Sequence, residues 1–174
     1  ECKEILGKAK NLNLKQSKTL TDSNKYRTSY SKTLSALEEE TIFSKLKLKL
    51  KREGVNLSDC EPFQVQRYLQ GNEYKIHYDA KDIFAKETPS SLESEQRIST
   101  AILYLNDEYI GGETEFPLKD IKVRPEVGTL LIFRNCFVGN EALHPLSAHK
   151  SSIVTKGNKW IVSVWSAADM TSSF

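Results

Sequence analysis

The chain has 174 residues, 39% of them hydrophobic and 28% charged, with a formal net charge of +2. That length suits one domain with a sizeable core, and the near-balanced charge excludes the broad basic field of a general nucleic-acid or anionic-membrane binder. No apolar run is long enough to cross a bilayer and no signal peptide is visible from Glu1 onward, so the chain reads as soluble, with compartment and oligomeric state left open.

The first third reads as mainly helical. Cys2 to Leu6 opens a short amphipathic stretch. Residues 11–28 are polar, with Thr19, Thr21, Asp22, Ser23 and Asn24, and read as loop or short strands. Leu34 to Leu37 and Ile42 to Leu50 place apolar residues at helical spacing, and Gly54 is placed to end that helix. The basic run Lys45 to Arg52 (KLKLKLKR) reads as a solvated helix face or strand edge, offset by Glu38 to Glu40. Three cysteines, Cys2, Cys60 and Cys136, are too few and too unpatterned for a disulfide framework. The spacing leaves a single Cys2–Cys60 bridge open.

From Pro62 the pattern changes to strands. Phe63 to Tyr68 alternates in period two, Gly71-Asn72 signals a turn, and Tyr74 to Tyr78 resumes the strand. Residues 80–97, with Pro89, Ser90 and Ser91, read as a polar loop. Ile98 to Leu105 is a strand closed by the turn residues Asn106-Asp107. Gly128 to Phe133 reads as a buried strand, 135–148 as a second loop, and Trp160 to Trp165 as a final strand. Helices first and short strands afterwards predict a β-sandwich or barrel with helices packed on one face.

His77-Tyr78-Asp79 is the pattern that carries chemistry. On a strand, His77 and Asp79 project from one face with Tyr78 turned away. With a distant histidine they supply two imidazoles and a carboxylate, the facial triad of non-haem Fe(II) oxygenases, which leaves positions open for substrate and O2. His144 and His149 both qualify as the distant partner, and spacing does not choose between them.

Four ordered motifs over residues 61–165 resemble the prolyl 4-hydroxylases, which are Fe(II)- and 2-oxoglutarate-dependent dioxygenases. They are Arg67 to Asp79 (RYLQGNEYKIHYD), Arg97 to Asn106 (RISTAILYLN), Gly111 to Pro117 (GGETEFP), and His149 followed by Gly157 to Trp160 (GNKW). Glu1-Cys2 and Arg27-Thr28-Ser29 resemble the family more weakly. The resemblance selects His149, because the family's histidine precedes the GNKW lysine by ten residues, as His149 precedes Lys159. His144 then falls in a loop where the family varies.

The resemblance implies a mainly β (α+β) fold, a double-stranded β-helix or jelly roll with N-terminal helices on one face. It implies one domain over residues 1–174, with 1–60 as helical support and 61–170 as the β core. It implies iron on His77, Asp79 and His149, and 2-oxoglutarate anchored through its far carboxylate by Lys159, with Tyr68 and Thr114 adding hydroxyls. Tyr74, Arg97 and Trp165 are implied on the substrate side, next to a proline-containing peptide or protein, with loops 80–97 and 135–148 as lids. Ascorbate is implied as the reductant, and succinate and CO2 as products. The family's usual Gly and Pro after the distal histidine are replaced by Lys150-Ser151-Ser152-Ile153, which changes the local turn. Two further readings keep the fold. One applies the same chemistry to a free amino acid, another side chain or a small molecule. The other is a catalytically dead module that binds proline-rich segments, which the intact His77, Asp79, His149 and Lys159 oppose.

Overall fold

The computed structural model describes residues 1–17, 26–52, 55–84, 95–124 and 126–171, with Lys49 described by its backbone only. The segment Thr19 to Asn24, Gly54, and Pro89 to Ser91 of the first loop therefore lie outside the described residues.

In chain order the elements are α1 (Cys2–Ala9), β1 (Lys15–Gln16), β2 (Tyr30–Thr33), α2 (Ala36–Arg52), β3 (Gln64–Tyr68), β4 (Tyr74–His77) and β5 (Ser99–Tyr104). There follow β6 (Tyr109–Gly111), β7 (Thr114–Phe116), β8 (Ile121–Val123), β9 (Leu130–Arg134), β10 (His149–Ser151), β11 (Val154–Gly157) and β12 (Lys159–Ser166). Single 3-10 turns sit at Leu57–Asp59, Pro117–Lys119 and Pro145–Ser147. A six-stranded sheet has the order β1-β2-β3-β12-β5-β9, a four-stranded sheet β4-β10-β7-β8, and a two-stranded sheet β11-β6. Strands β3 and β12, β12 and β5, and β5 and β9 all pair antiparallel, as in a jelly roll.

Alternation along the central strands builds both sides of the large sheet. On one side Val65, Ala101, Leu103, Trp160, Val162 and Val164 meet Ile5, Ala9, Phe43, Leu46 and Leu50 of the helices. On the other, Tyr68, Ile102, Tyr104 and Ile161 pack between the sheets with Val123 and Phe133. Both faces of β5 and β12 are buried, which is why these strands read as near-continuous apolar runs. The helices lie on one face, as the sequence predicts. The first sixty residues are less purely helical than predicted, because β1 and β2 extend the large sheet beyond β3.

Helix α2 starts at a reciprocal cap. Glu38 N–H donates to the Ser35 hydroxyl at 3.4 Å, and Ser35 N–H donates to the Glu38 carboxylate at 2.9 Å. Phe43, Leu46 and Leu50 then recur at helical spacing as its buried stripe. Its basic run is a solvated face, with Lys45 paired to Glu4 at 3.6 Å and Lys47 to Glu39 and Glu40 at 3.6 and 3.5 Å. Cys60 is a free thiol with Sγ 3.6 Å from the Asn56 carbonyl, so the Cys2–Cys60 bridge is not formed. Among the described residues no helix is long and apolar enough to cross a membrane.

Phe43 is fully buried against Phe63, with ring centroids 5.6 Å apart. Phe43→Ala should cost about 3–5 kcal/mol in urea unfolding, while Leu37→Ala on the 78% exposed face of the same helix stays within about 0.5 kcal/mol.

Candidate active site

Strand β4 ends at His77, and β10 begins at His149, its direct partner across the pair. Tertiary pairing thus closes the long sequence gap between the two histidines. Asp79 lies in a bend beyond β4, so the chain turn rather than strand alternation brings it round; Tyr78 points outward, 43% exposed. Asp79 Oδ1 is 3.7 Å from His77 Nε2 and its Oδ2 is 3.5 Å from His149 Nε2. One ligand atom from each of the three lies within 4.8 Å of the others.

Each imidazole has its other nitrogen at a backbone carbonyl. His77 Nδ1 is 2.7 Å from Lys75 O, and His149 Nδ1 is 2.9 Å from Ser147 O. Donation there leaves both Nε2 lone pairs facing Asp79, the tautomer a metal needs. Burial, then the neighbouring His149, push the His77 imidazole down to about 4. Burial on its own would raise the Asp79 carboxyl; His149, His77, Arg97 and a hydrogen bond from Thr100 outweigh it and hold the group at about 2. The donor set, two neutral nitrogens and one carboxylate, fits Fe(II).

Behind the triad, Thr100 Oγ1 donates to Asp79 Oδ2 at 2.8 Å and accepts from Asn135 Nδ2 at 2.8 Å. The Asn135 carbonyl accepts from His144 N–H at 2.8 Å and from the Ser147 hydroxyl at 3.2 Å. Asn135 therefore supports Asp79 through its side chain, and through its backbone the turn whose carbonyl orients His149. His144 is outside the cluster. Its Nδ1 accepts from Leu146 N–H at 3.1 Å at the start of the 3-10 turn, and its ring lies on Phe137 at 4.4 Å.

Lys159 is fully buried on the inner face of β12. Its ammonium donates to Gly112 O at 2.7 Å and to the Ser151 hydroxyl at 2.8 Å, and stands 5.0 and 5.6 Å from the rings of Tyr68 and Tyr104. Gly112 has a positive φ of 68°, and a Cβ there would lie 3.2 Å from the Lys159 stem, so glycine lets the backbone reach the lysine. Among the described residues no carboxylate pairs with this ammonium, and burial holds it down to about 7. Thr114 shares a 2.6 Å hydrogen bond with Tyr104 OH, while Tyr68 OH donates to Gln66 Oε1 at 3.2 Å.

Tyr74 stacks on His77 at 3.5 Å, with the buried Arg27 guanidinium 4.9 Å from the centre of its ring. Arg97 is 4.0 Å over the Trp165 ring and is held by both oxygens of Glu61, at 2.5 and 2.8 Å. The indole N–H of Trp165 is buried and has no partner among the described residues. Gln96 joins the two loops. Its amide donates to Lys81 O at 2.8 Å and Glu141 O at 3.1 Å, and its oxygen accepts from Lys81 N–H at 2.9 Å and Arg97 N–H at 3.1 Å.

Of the nine predicted site residues, His77, Asp79 and His149 form one cluster with Tyr74 stacked on it, Lys159 stands beside Tyr68 and the Tyr104–Thr114 pair, and Arg97, whose charge acts on Asp79, stands over Trp165. Thr100, Tyr104, Asn135 and Ser151 were missed. Thr100 and Tyr104 carried a signal, since strand alternation puts them on the face of Ile102; Asn135 and Ser151 carried none.

Residues 63–167 match the family model described as the 2OG-Fe(II) oxygenase superfamily. The chain is 33% identical to probable prolyl 4-hydroxylase 9 of Arabidopsis thaliana, covering 95% of this chain and 64% of that protein. It is 31% identical to prolyl 4-hydroxylase subunit alpha-1 of Rattus norvegicus, over 80% of this chain but only 26% of that subunit. The chain thus spans less than two thirds of the length of these relatives. The crystal structure of a viral collagen prolyl hydroxylase from Paramecium Bursaria Chlorella virus-1, in complex with 2OG, superposes with a TM-score of 0.66 at 27% identity, over 80% of this chain and 78% of that one. Fold, donor set and matched segment agree: the chain belongs to the 2OG-Fe(II) oxygenase superfamily, and the relatives it is similar to are prolyl 4-hydroxylases.

Proposed function

We propose that this chain is an Fe(II)- and 2-oxoglutarate-dependent dioxygenase that hydroxylates peptidyl proline and releases succinate and CO2. The observation that carries this reading is a two-histidine, one-aspartate cluster between the sheets and, on an inner strand face, a buried ammonium with no carboxylate partner among the described residues. A metal and a dicarboxylate complete those two features. His77, Asp79 and His149 hold the metal, which when bound supplies the O2 activation that couples decarboxylation to hydroxylation. Lys159 takes the far carboxylate of 2-oxoglutarate, with the Tyr104–Thr114 hydroxyl pair beside it and the Tyr68 ring flanking the ammonium.

On the substrate side, Tyr74, stacked on His77, and Trp165, beneath the Arg97 guanidinium, are assigned to the wall of the prolyl site. Glu61 holds Arg97 in that position. A proline-containing peptide is the substrate that accords with the names of the relatives, and ascorbate is the reductant for uncoupled turnovers. The chain is read as one domain. Purified protein with Fe(II), 2-oxoglutarate and a proline-rich peptide library should release succinate and add one oxygen to peptide. Absence of both products with every peptide would overturn the reading.

His77→Ala, Asp79→Ala and His149→Ala should each abolish stoichiometric Mn(II) binding in calorimetry and succinate release, with the fold retained by circular dichroism. Thr100→Val removes the hydroxyl behind Asp79 and should weaken Mn(II) binding by about 10- to 100-fold.

Burial holds Lys159 down to about 7, and a bound anion favours its charged form. Below pH 7 the free site already carries the proton, whereas above it binding must take one up. Affinity for 2-oxoglutarate should therefore level off below about pH 7 and fall by up to about tenfold per pH unit above it, read by calorimetry on the Mn(II)-loaded protein.

A further inference from the structure

The two oxygens of the Asp79 carboxylate are not equivalent. Oδ2 accepts from the Thr100 hydroxyl at 2.8 Å, whereas Oδ1 takes no hydrogen bond from any described residue and stands 3.7 Å from His77 Nε2. The backbone of Asp79 does not impose this difference, because the residue lies in a bend beyond β4 and outside any strand. What fixes Oδ2 is a side chain on β5, a strand paired along both edges, where Thr100 is itself buried.

The next residue along shows which way the hydrogen bonds run. An ionised carboxylate accepts and never donates, so the Thr100 proton is spent on Asp79. Thr100 Oγ1 then offers only lone pairs, and Asn135 meets it with its amide nitrogen at 2.8 Å. Asn135 is fully buried, and among the described residues this is the one hydrogen bond of its side chain; its Oδ1 is buried with no partner. An unsatisfied buried acceptor is costly and calls for a reason. Turning the amide over would aim that oxygen at Thr100 and draw the hydroxyl proton off Asp79. The observed orientation gives up the amide oxygen and keeps the proton on the carboxylate.

This matters because a carboxylate can reach a metal with one oxygen or with both. To use both, Asp79 would have to swing Oδ2 toward the ion and leave Thr100. With one oxygen, two histidines and one carboxylate cover one face of an octahedral ion and leave the opposite face open. A second oxygen closes one position of that face, and a bidentate ligand would then leave no room beside it.

We infer that Thr100 and Asn135 are positioning residues that hold Asp79 to one-oxygen coordination and thereby keep a whole face of the metal free for ligands. The inference rests on the metal-centre reading of the triad, and it assigns Oδ1 as the oxygen that meets the ion. Asn135 acts at the metal through Thr100 alone, since its amide touches no other group of the site.

The test counts exchangeable water on Mn(II) by the water-proton relaxivity of the protein-bound ion, with protein in excess so that all the metal is bound. Wild type is compared with Thr100→Val, Thr100→Ser, Asn135→Leu and the Thr100→Val/Asn135→Leu double variant, each checked for its fold by circular dichroism. Closing one position of a three-position open face should lower the inner-sphere relaxivity of Thr100→Val by about a third. Thr100→Ser, which keeps the hydroxyl, should match wild type. Asn135→Leu should fall in the same direction by less, and the double variant should equal Thr100→Val, because the amide has nothing left to act through. Should Asn135→Leu fail to fold, the two substitutions at Thr100 carry the test. Saturation with 2-oxoglutarate should leave wild type with residual inner-sphere relaxivity and Thr100→Val with none. Wild-type relaxivity in Thr100→Val, even with weaker Mn(II) binding, would sink the inference, as would a double variant that loses clearly more than Thr100→Val. A wild type whose bound Mn(II) does not respond to 2-oxoglutarate would count instead against the dioxygenase reading, with the comparison of the variants without co-substrate still deciding the role of the pair.

Discussion

The Lys159 ammonium is removed from water with no carboxylate bonded to it among the described residues, and much of the site follows from that one fact. An isolated buried charge is among the least favourable arrangements in a protein interior, so its surroundings must supply oxygens and aromatic faces. The Gly112 carbonyl, the Ser151 hydroxyl and the rings of Tyr68 and Tyr104 do so, and only a glycine at 112 lets the backbone come close enough. These neighbours are neutral, so the charge is solvated without being cancelled. An arriving anion therefore finds no ion pair to break first, and it favours the protonated form of the lysine that burial disfavours.

The opposite end of the cavity follows a different logic. There the site presents a single negative charge before any metal arrives, with Asp79 held ionised at about 2 and His77 held neutral. Rigid main-chain carbonyls fix the tautomers, and the Thr100–Asn135 relay fixes the carboxylate. One end waits for charge and the other is set for coordination, which gives a ligand with a chelating head and an anionic tail a single orientation.

How far the sequence anticipates this depends on the length of each element. Strands β5 and β12 are buried on both faces and six to eight residues long, so their apolar runs are readable. Strands β6, β7, β8 and β10 have three residues each, too few to establish an alternation, and they emerge only through pairing. The histidine pair shows the same limit. His144 and His149 are equivalent by composition, and what separates them is that His149 pairs with His77 across β4 and β10 while His144 starts a turn. The partner of Arg97 was equally out of reach, because Glu61 lies far away in the chain and in no shared motif. The motifs reached further than the strand patterns did, since they encode the outcome of pairing rather than local preference.

Gln96 ties two distant stretches of chain together. With four hydrogen bonds it clasps Lys81 on one side and Glu141 on the other, next to Arg97. One amide side chain thereby holds both stretches against the same short piece of backbone, beside the arginine that stands over Trp165. Loss of that amide releases both at once and unsettles the base of that arginine with them.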